Sequence, residues 1–356
     1  MKKALPLCVL FLLLAFYAFP SLACTSFAVY RDHTLYGMNF DYPDVPVRYS
    51  IDQYAAFEVA FEYNGNYVPI SGMNEDGLFM AVQMLYPEKV DSAAGGRTDL
   101  QTFAASVVSR FYSMEQVHAA LCNQLLANRY VSLHCMLADK SGSAAVLEPG
   151  TEQNRVTQNP GDYLVMTNFS NADAYNPDTQ RMEGVDCERY IAADAYIEQN
   201  KDSFDIEDGL ETLKRTIQTE GGYPTQTSMV YDPVNGEIYI AVRGDFERIW
   251  KISLAQRTIE SYRGFERPIL LKLDEEGVTA QELVALASAP PSQENPPIET
   301  SEEPAGVATS QPAALPVNPS PGQAAPLGLL SIVGICLAAL CIIMIVWLLL
   351  SRRIRR

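Results

Sequence analysis

Residues 327–350 form 24 consecutive positions without a formal charge, closed by Arg352, Arg353, Arg355 and Arg356. A helix needs about 20 predominantly apolar residues to cross the hydrocarbon core of a bilayer. Such a helix satisfies its own backbone polar groups in lipid. The run therefore predicts a transmembrane helix, with the basic tail 351–356 held on the cytoplasmic side. A buried core helix fits poorly, because of the length, the Arg cluster and what precedes it. Residues 289–326 carry Pro290-Pro291, Pro296-Pro297 and Glu302-Glu303 among Ser and Ala. That composition lacks the apolar periodicity of a folded unit and predicts a semi-extended stalk.

The other end has a second address. Lys2 and Lys3 precede an apolar stretch over 5–19, Pro20 breaks it, and Ser21 and Ala23 place small residues at the −3 and −1 positions of a cleavage site. This is the pattern of a secretory signal peptide, 1–23, whose removal exposes Cys24. The expected layout is signal 1–23, a globular domain 24–288 outside the cell, stalk 289–326, membrane helix 327–350 and tail 351–356. The protein is expected in the cell membrane, single-pass, with its C-terminus cytoplasmic.

The net charge is −17, and the six basic residues at the two ends leave −23 for everything between. Nucleic acid is not an expected partner, because phosphate binding needs basic patches. Seven Cys in 356 residues are too few for a disulfide scaffold.

Within 24–288, short apolar runs bounded by turn residues predict strands over 25–30, from 34 onward, 54–61, 78–84, 133–137, 144–148, 229–231, 238–242 and 249–254. Helical spacing marks 99–111, 114–126, 182–197 and 206–219, with Ser113 and Gln116 as a capping box. Strands, then helices, then strands indicate an α+β layered domain and not a doubly wound parallel sheet.

Chemistry centres on Cys24. The remaining Cys of this domain, Cys122, Cys135 and Cys187, have neither CxxC spacing nor clustered His, so a zinc site is not expected; one or two disulfides are the alternative to free buried thiols, which are the simpler reading. The chain has three His. His33 falls in a turn, His118 on a helix, and His134 inside an apolar strand, where a satisfied core His is a better reading than a catalytic base. Once exposed, Cys24 carries its own α-amine, whose pKa near 7.7–8.0 lets it accept the thiol proton. The competing reading is a lipidated Cys. It is disfavoured because Ser21 stands where a lipobox prefers Leu, and because the C-terminal run already supplies an anchor.

Cys24-Thr25-Ser26-Phe27 and Tyr36-Gly37-Met38-Asn39-Phe40-Asp41 resemble the opening of the choloylglycine hydrolases. These N-terminal-nucleophile (Ntn) amidases include bile salt hydrolases and penicillin V acylases. Further similar segments follow in order: Ser71-Gly72-Met73-Asn74-Glu75-Asp76-Gly77-Leu78, Leu133-His134-Cys135-Met136-Leu137-Ala138-Asp139-Lys140-Ser141-Gly142, Val165-Met166-Thr167-Asn168 and Glu188-Arg189-Tyr190. The resemblance implies an αββα four-layer sandwich. It implies Cys24 as nucleophile, Asp41 orienting its amine, Asn168 donating to the oxyanion beside a backbone N–H near Met84, and Arg189 completing the polar network. Read without it, Asp41 is also a turn Asp, Asn168 a loop Asn, and Arg189 a surface helix Arg paired with Glu188 or Asp186. Met38 stands where bile salt hydrolases carry Arg, Met84 or Gln83 where characterised members carry Asn or Tyr, and the Asn168–Arg189 interval is short. These departures bear against bile salt as substrate and against a tetramer.

The expected function is hydrolysis of a linear, non-peptide C–N amide bond in a small N-acyl substrate through a Cys24 thioester, with no cofactor, no metal and no required oligomer. Penicillin V acylase, N-acyl-homoserine-lactone acylase and acyltransferase activities are alternatives on the same fold. Alternatives of another class are a non-catalytic surface binding protein and a lipid-anchored adhesin.

Overall fold

The computed structural model describes residues 24–289, apart from 92–94, 160 and 220. The expected signal peptide, nearly all of the stalk, the transmembrane helix and the basic tail lie outside the described residues. Among the described residues, no helix is long and apolar enough to cross a membrane.

Six strands open the chain: β1 (Thr25–Tyr30), β2 (Thr34–Asp41), β3 (Val47–Ile51), β4 (Phe57–Tyr63), β5 (Asn66–Met73) and β6 (Phe79–Met84). They are divided between two eight-stranded sheets, each antiparallel throughout. The first sheet runs Tyr163–Met166, β1, β2, Thr225–Asp232, Glu237–Val242, Ile249–Ser253, Thr258–Arg263, Leu270–Lys272. The second runs Arg155–Gln158, Ala144–Glu148, Leu133–Ala138, β6, β5, β4, β3, Val278–Thr279.

Both faces of each sheet are covered, so their strands read as near-continuous apolar runs. Ala28, Tyr36, Met38 and Phe40 of the first sheet pack against Phe57, Val59, Phe79 and Met136 of the second. Phe79 stacks on Tyr36 at 5.0 Å between ring centroids and meets Tyr231 at 4.8 Å. The outer face of the first sheet buries Phe27, Val29 and Val230 against Ala193, Ile197, Leu210 and Leu213 of the helices Glu188–Asn200 and Ile206–Arg215. The outer face of the second buries Met80, Val82, Cys135 and Leu137 against Leu100, Phe103, Val107, Met114 and Val117. The layers are therefore helices, sheet, sheet, helices. One glycine is needed at the first outer face: a Cβ on Gly37 would lie 2.2 Å from the Phe27 ring.

The β1–β2 hairpin and the Asp139–Gly142 turn form as expected, with Gly142 at φ +97. The helices are shorter than their apolar spacing suggested. The expected 99–111 helix is split into Leu100–Ala105 and Val107–Arg110 at Ser106, whose hydroxyl donates to Phe103 C=O. The expected 114–126 helix stops at Leu121, since Leu126–Ala127 pairs with Thr98–Asp99. The capping box is half-formed: Ser113 Oγ accepts Gln116 N–H, but Gln116 Oε1 accepts from Tyr112 N–H.

Candidate active site

Cys24 immediately precedes β1 and is 4 % exposed. Each of its polar atoms has a partner from a different part of the chain. The backbone N–H donates to Asn168 Oδ1 at 2.8 Å. The thiol points at Asp41 C=O, with Sγ···O at 3.9 Å. The backbone C=O accepts from Arg189 Nη1 at 2.6 Å. Arg189 also brings Nη2 to 3.2 Å from Asn168 Oδ1. Four of the five residues expected from the sequence thus converge on one another: Cys24, Asp41, Asn168 and Arg189.

Asp41 reaches the site because β2 returns antiparallel beside β1, with Thr25 opposite Asn39. It is 1 % exposed. Its Oδ1 accepts the Thr225 hydroxyl, while its Oδ2 is buried without a partner. Burial pushes the Asp41 carboxyl up to about 7, against the pull of the Thr225 hydroxyl and the Arg189 charge. Burial also pushes the Cys24 thiol up to about 12, with the Asp41 charge adding to it and the Asp41 C=O and Arg189 opposing. A thiol so placed is protonated at neutral pH and needs a base to become a nucleophile.

Asn168 sits differently from the expected oxyanion donor. Its Nδ2 donates to Met84 C=O at 2.7 Å and its Oδ1 is taken by Cys24 and Arg189, so the amide acts as a clamp between the two sheets. Met84 faces it because Leu85 N–H bonds Ser132 C=O. Bonded and non-bonded pairs alternate in an antiparallel ladder, so Met84, one residue back, turns its own N–H and C=O away from the strand 133–138.

Three neighbours had no role assigned from the sequence, although Gln83 was named as an alternative to Met84. Thr225 meets Asp41 only through the register of the strands Thr34–Asp41 and Thr225–Asp232. Gln83, 2 % exposed, ties β6 to both neighbours of the nucleophile: its carbonyl accepts from Ser26 N–H at 3.0 Å and Ser26 Oγ at 2.6 Å, and its amide donates to Thr167 C=O at 3.2 Å. A polar residue inside the apolar run 78–84 was the available signal. Tyr86 lies beside Asn168, to whose C=O it donates at 2.7 Å. Burial first, then the Glu88, Tyr223 and Cys24 charges, push its phenol up to about 12.

His134 is fully buried, as expected of a core His, and its ring faces the Thr167 backbone. Burial lowers it to about 3, so it is neutral and a poor general base. Cys122, Cys135 and Cys187 are free thiols, but only Cys135 is buried; Cys122 is exposed and Cys187 half-buried.

One expected outcome follows from Asp41. In a chain that retains Ala23, Cys24 N is a peptide nitrogen and Oδ2 has no hydrogen-bond partner. A carboxyl whose folded pKa lies above its unfolded value leaves the fold unpenalised below about pH 4; the penalty then grows until the pH passes the folded value. With that value near 7, the loss is on the order of 4 kcal/mol by pH 8. Asp41→Asn in the Ala23-retaining chain should therefore raise Tm at pH 8 by roughly 5 °C or more and leave it little changed at pH 4. Removing Ala23 adds an α-ammonium at Cys24 and should shrink the difference. Parallel wild-type and variant melting curves across pH 4–8 would contradict this.

Residues 48–204 match the family model described as linear amide C–N hydrolases, choloylglycine hydrolase family. The matched stretch contains Met84, Asn168 and Arg189; Cys24 and Asp41 precede it. Among solved structures, penicillin V acylase from Agrobacterium tumefaciens is similar at 16 % identity, covering 67 % of this chain and 90 % of that one, with a TM-score of 0.52. A mutant of the conjugated bile acid hydrolase from Clostridium perfringens is similar at 20 % identity, over 67 % of this chain and 96 % of that one, with a TM-score of 0.49. The N-acylethanolamine-hydrolyzing acid amidase ortholog of Caenorhabditis elegans gives 17 %, 59 %, 93 % and 0.44 in the same order. No curated protein matches the chain by sequence. The likeness to the penicillin V acylase is one of fold: an Ntn-hydrolase-like α+β arrangement with large antiparallel sheets.

Proposed function

We propose, from the match of residues 48–204 to the choloylglycine hydrolase family, that this chain is a linear amide C–N hydrolase and that Cys24, freed by removal of 1–23, is its nucleophile. The observation that carries the reading is the convergence of Asn168, Asp41 and Arg189 on the N–H, thiol and C=O of this one residue. The α-amine accepts the thiol proton, and sulfur adds to the amide carbonyl. The tetrahedral oxyanion takes its hydrogen bonds from donors around Met84 and Asn168, the latter exchanging the Met84 C=O for the new charge. The C–N bond breaks as the α-ammonium returns its proton to the leaving amine. Water then cleaves the Cys24 thioester, giving the carboxylic acid and the thiol. Asp41, through its unpartnered Oδ2, holds the amine, and Arg189 fixes Asn168 and the Cys24 carbonyl.

The acyl group is proposed to be planar or aromatic. Tyr86 is joined to Asn168 through its N–H, and Tyr42, just after Asp41, stacks on Phe40 at 5.5 Å and packs on Phe61 at 4.7 Å. Tyr63 extends the wall from Phe61 at 6.3 Å. This wall favours a penicillin V-type phenoxyacetyl amide as the second, narrower reading; aromatic faces bind such rings by offset stacking.

The domain 24–288 is proposed to stand outside the cell on the stalk 289–326, anchored by 327–350 with the tail 351–356 inside. One preparation tests activity and placement together. Protease added to intact cells should release an active domain ending within 289–326, the exposed type of segment cut first. The released domain should hydrolyse aromatic N-acyl amides and penicillin V faster than bile conjugates or N-acyl-homoserine lactones. Release only after lysis would overturn the topology, and no turnover of any member would overturn the amidase reading.

A further inference from the structure

Glu148 ends the strand Ala144–Glu148 and is 2 % exposed, yet it belongs to none of the chemistry above. A buried carboxylate is costly unless its oxygens are paired. Both of its hydrogen-bonded partners lie on one short segment. Oε2 accepts the Ser170 hydroxyl at 2.6 Å, and Oε1 accepts Ala172 N–H at 3.1 Å. Arg155, opposite Glu148 across the ladder, brings Nη1 to 3.7 Å from Oε2 and extends to Asp173 Oδ1 at 2.6 Å. Lys89 closes on Asp173 from the other side at 3.2 Å.

This segment begins two residues after Asn168. Between the two, Asn168 C=O accepts Tyr86 N–H at 2.7 Å, and on the N-terminal side Met166 is paired opposite Ser26 in the first sheet. The Asn168 amide thus points at Cys24 N and Met84 C=O because its backbone is fastened before and after. We propose that Glu148 is a positioning residue: through Ser170 it fixes Asn168, and through Asn168 it fixes the Cys24 nitrogen that serves as base. The inference rests on the reading of Cys24 as an amine-activated nucleophile.

The thiols of the domain make the test independent of any substrate. Mature protein is treated with iodoacetamide at pH 7.5, and each Cys is followed by peptide mass. Cys122 is exposed and reports reagent; Cys135 is buried and reports loss of fold. Glu148→Ala and the milder Ser170→Ala should each slow Cys24 alkylation by about tenfold or more, the scale on which small misplacements act. Cys122 should be unchanged and Cys135 protected. The double variant should be no slower than the slower single one, because both changes act along one route. If Glu148→Ala does not fold, Ser170→Ala alone decides. Wild-type Cys24 rates in the folded variants overturn the proposal, as does simultaneous exposure of Cys24 and Cys135, which would make Glu148 a stabiliser only. A wild-type Cys24 no more reactive than Cys122 would instead refute the nucleophile reading on which the proposal rests.

Discussion

Cys24→Ser should lose amide hydrolysis by about 1000-fold or more while keeping its fold, since removing a nucleophile leaves only binding and oxyanion stabilisation. A hydroxyl fits the space of the thiol and keeps a donor toward Asp41 C=O. It is far less acidic, and the pocket that already raises the thiol would raise it as well. The check is turnover per folded molecule, with melting curves of both forms. Near-wild-type turnover would remove Cys24 from the mechanism.

Placing one Ala between Ala23 and Cys24 should cost about 100-fold or more, the scale of losing a positioned base. The thiol remains, but its own nitrogen becomes a peptide N–H with no proton-accepting capacity. Asn168 Oδ1 can still receive that N–H, as it does at 2.8 Å, so the site should stay assembled while the chemistry stops. Intact mass must show that the added Ala survives processing. His134 is not a substitute base, since burial lowers it to about 3, far from the operating pH.

The parts of the fold legible in sequence were those with local causes. The β1–β2 hairpin and the 139–142 turn follow from short apolar runs around polar turn residues. The first of these carried Asp41 to Cys24, since a hairpin return is enough to bring residue 41 beside residue 24. Strand β5 escaped notice partly because Pro69 sits inside it. The structure admits the proline beside a register shift at Val59/Ala60, where the ladder is irregular. The helix expected over 182–197 begins only at Glu188. Arg181–Met182 instead pairs with Tyr175–Asn176, and Gly184 adopts φ +67. That displacement matters for the site, because it puts Arg189 in the first turn of the helix, where it can reach back to Cys24.

Asn168 and Arg189 were visible only through resemblance, because nothing local separates them from an ordinary loop Asn and helix Arg. Thr225 and Glu148 could not be found in that way, and Gln83 was named only as an alternative to Met84. Each acts through a partner set by sheet register or by the approach of the two sheets, as Thr225 meets Asp41 across 184 positions. Asn168 lies beside Cys24, with partners the sequence did not indicate. An amide facing both a nitrogen and a carbonyl is already satisfied, and it becomes an oxyanion donor only by releasing Met84.

The most direct test is the N-terminal residue of the active species. Protein purified from its native source, incubated briefly with a turned-over aromatic N-acyl amide and quenched in acid, is analysed by intact mass and N-terminal peptide mass. The account predicts chains beginning at Cys24, with a fraction carrying the acyl group as a thioester on that residue. Chains that retain Ala23 and turn over at the same rate, with no adduct on Cys24, would contradict it.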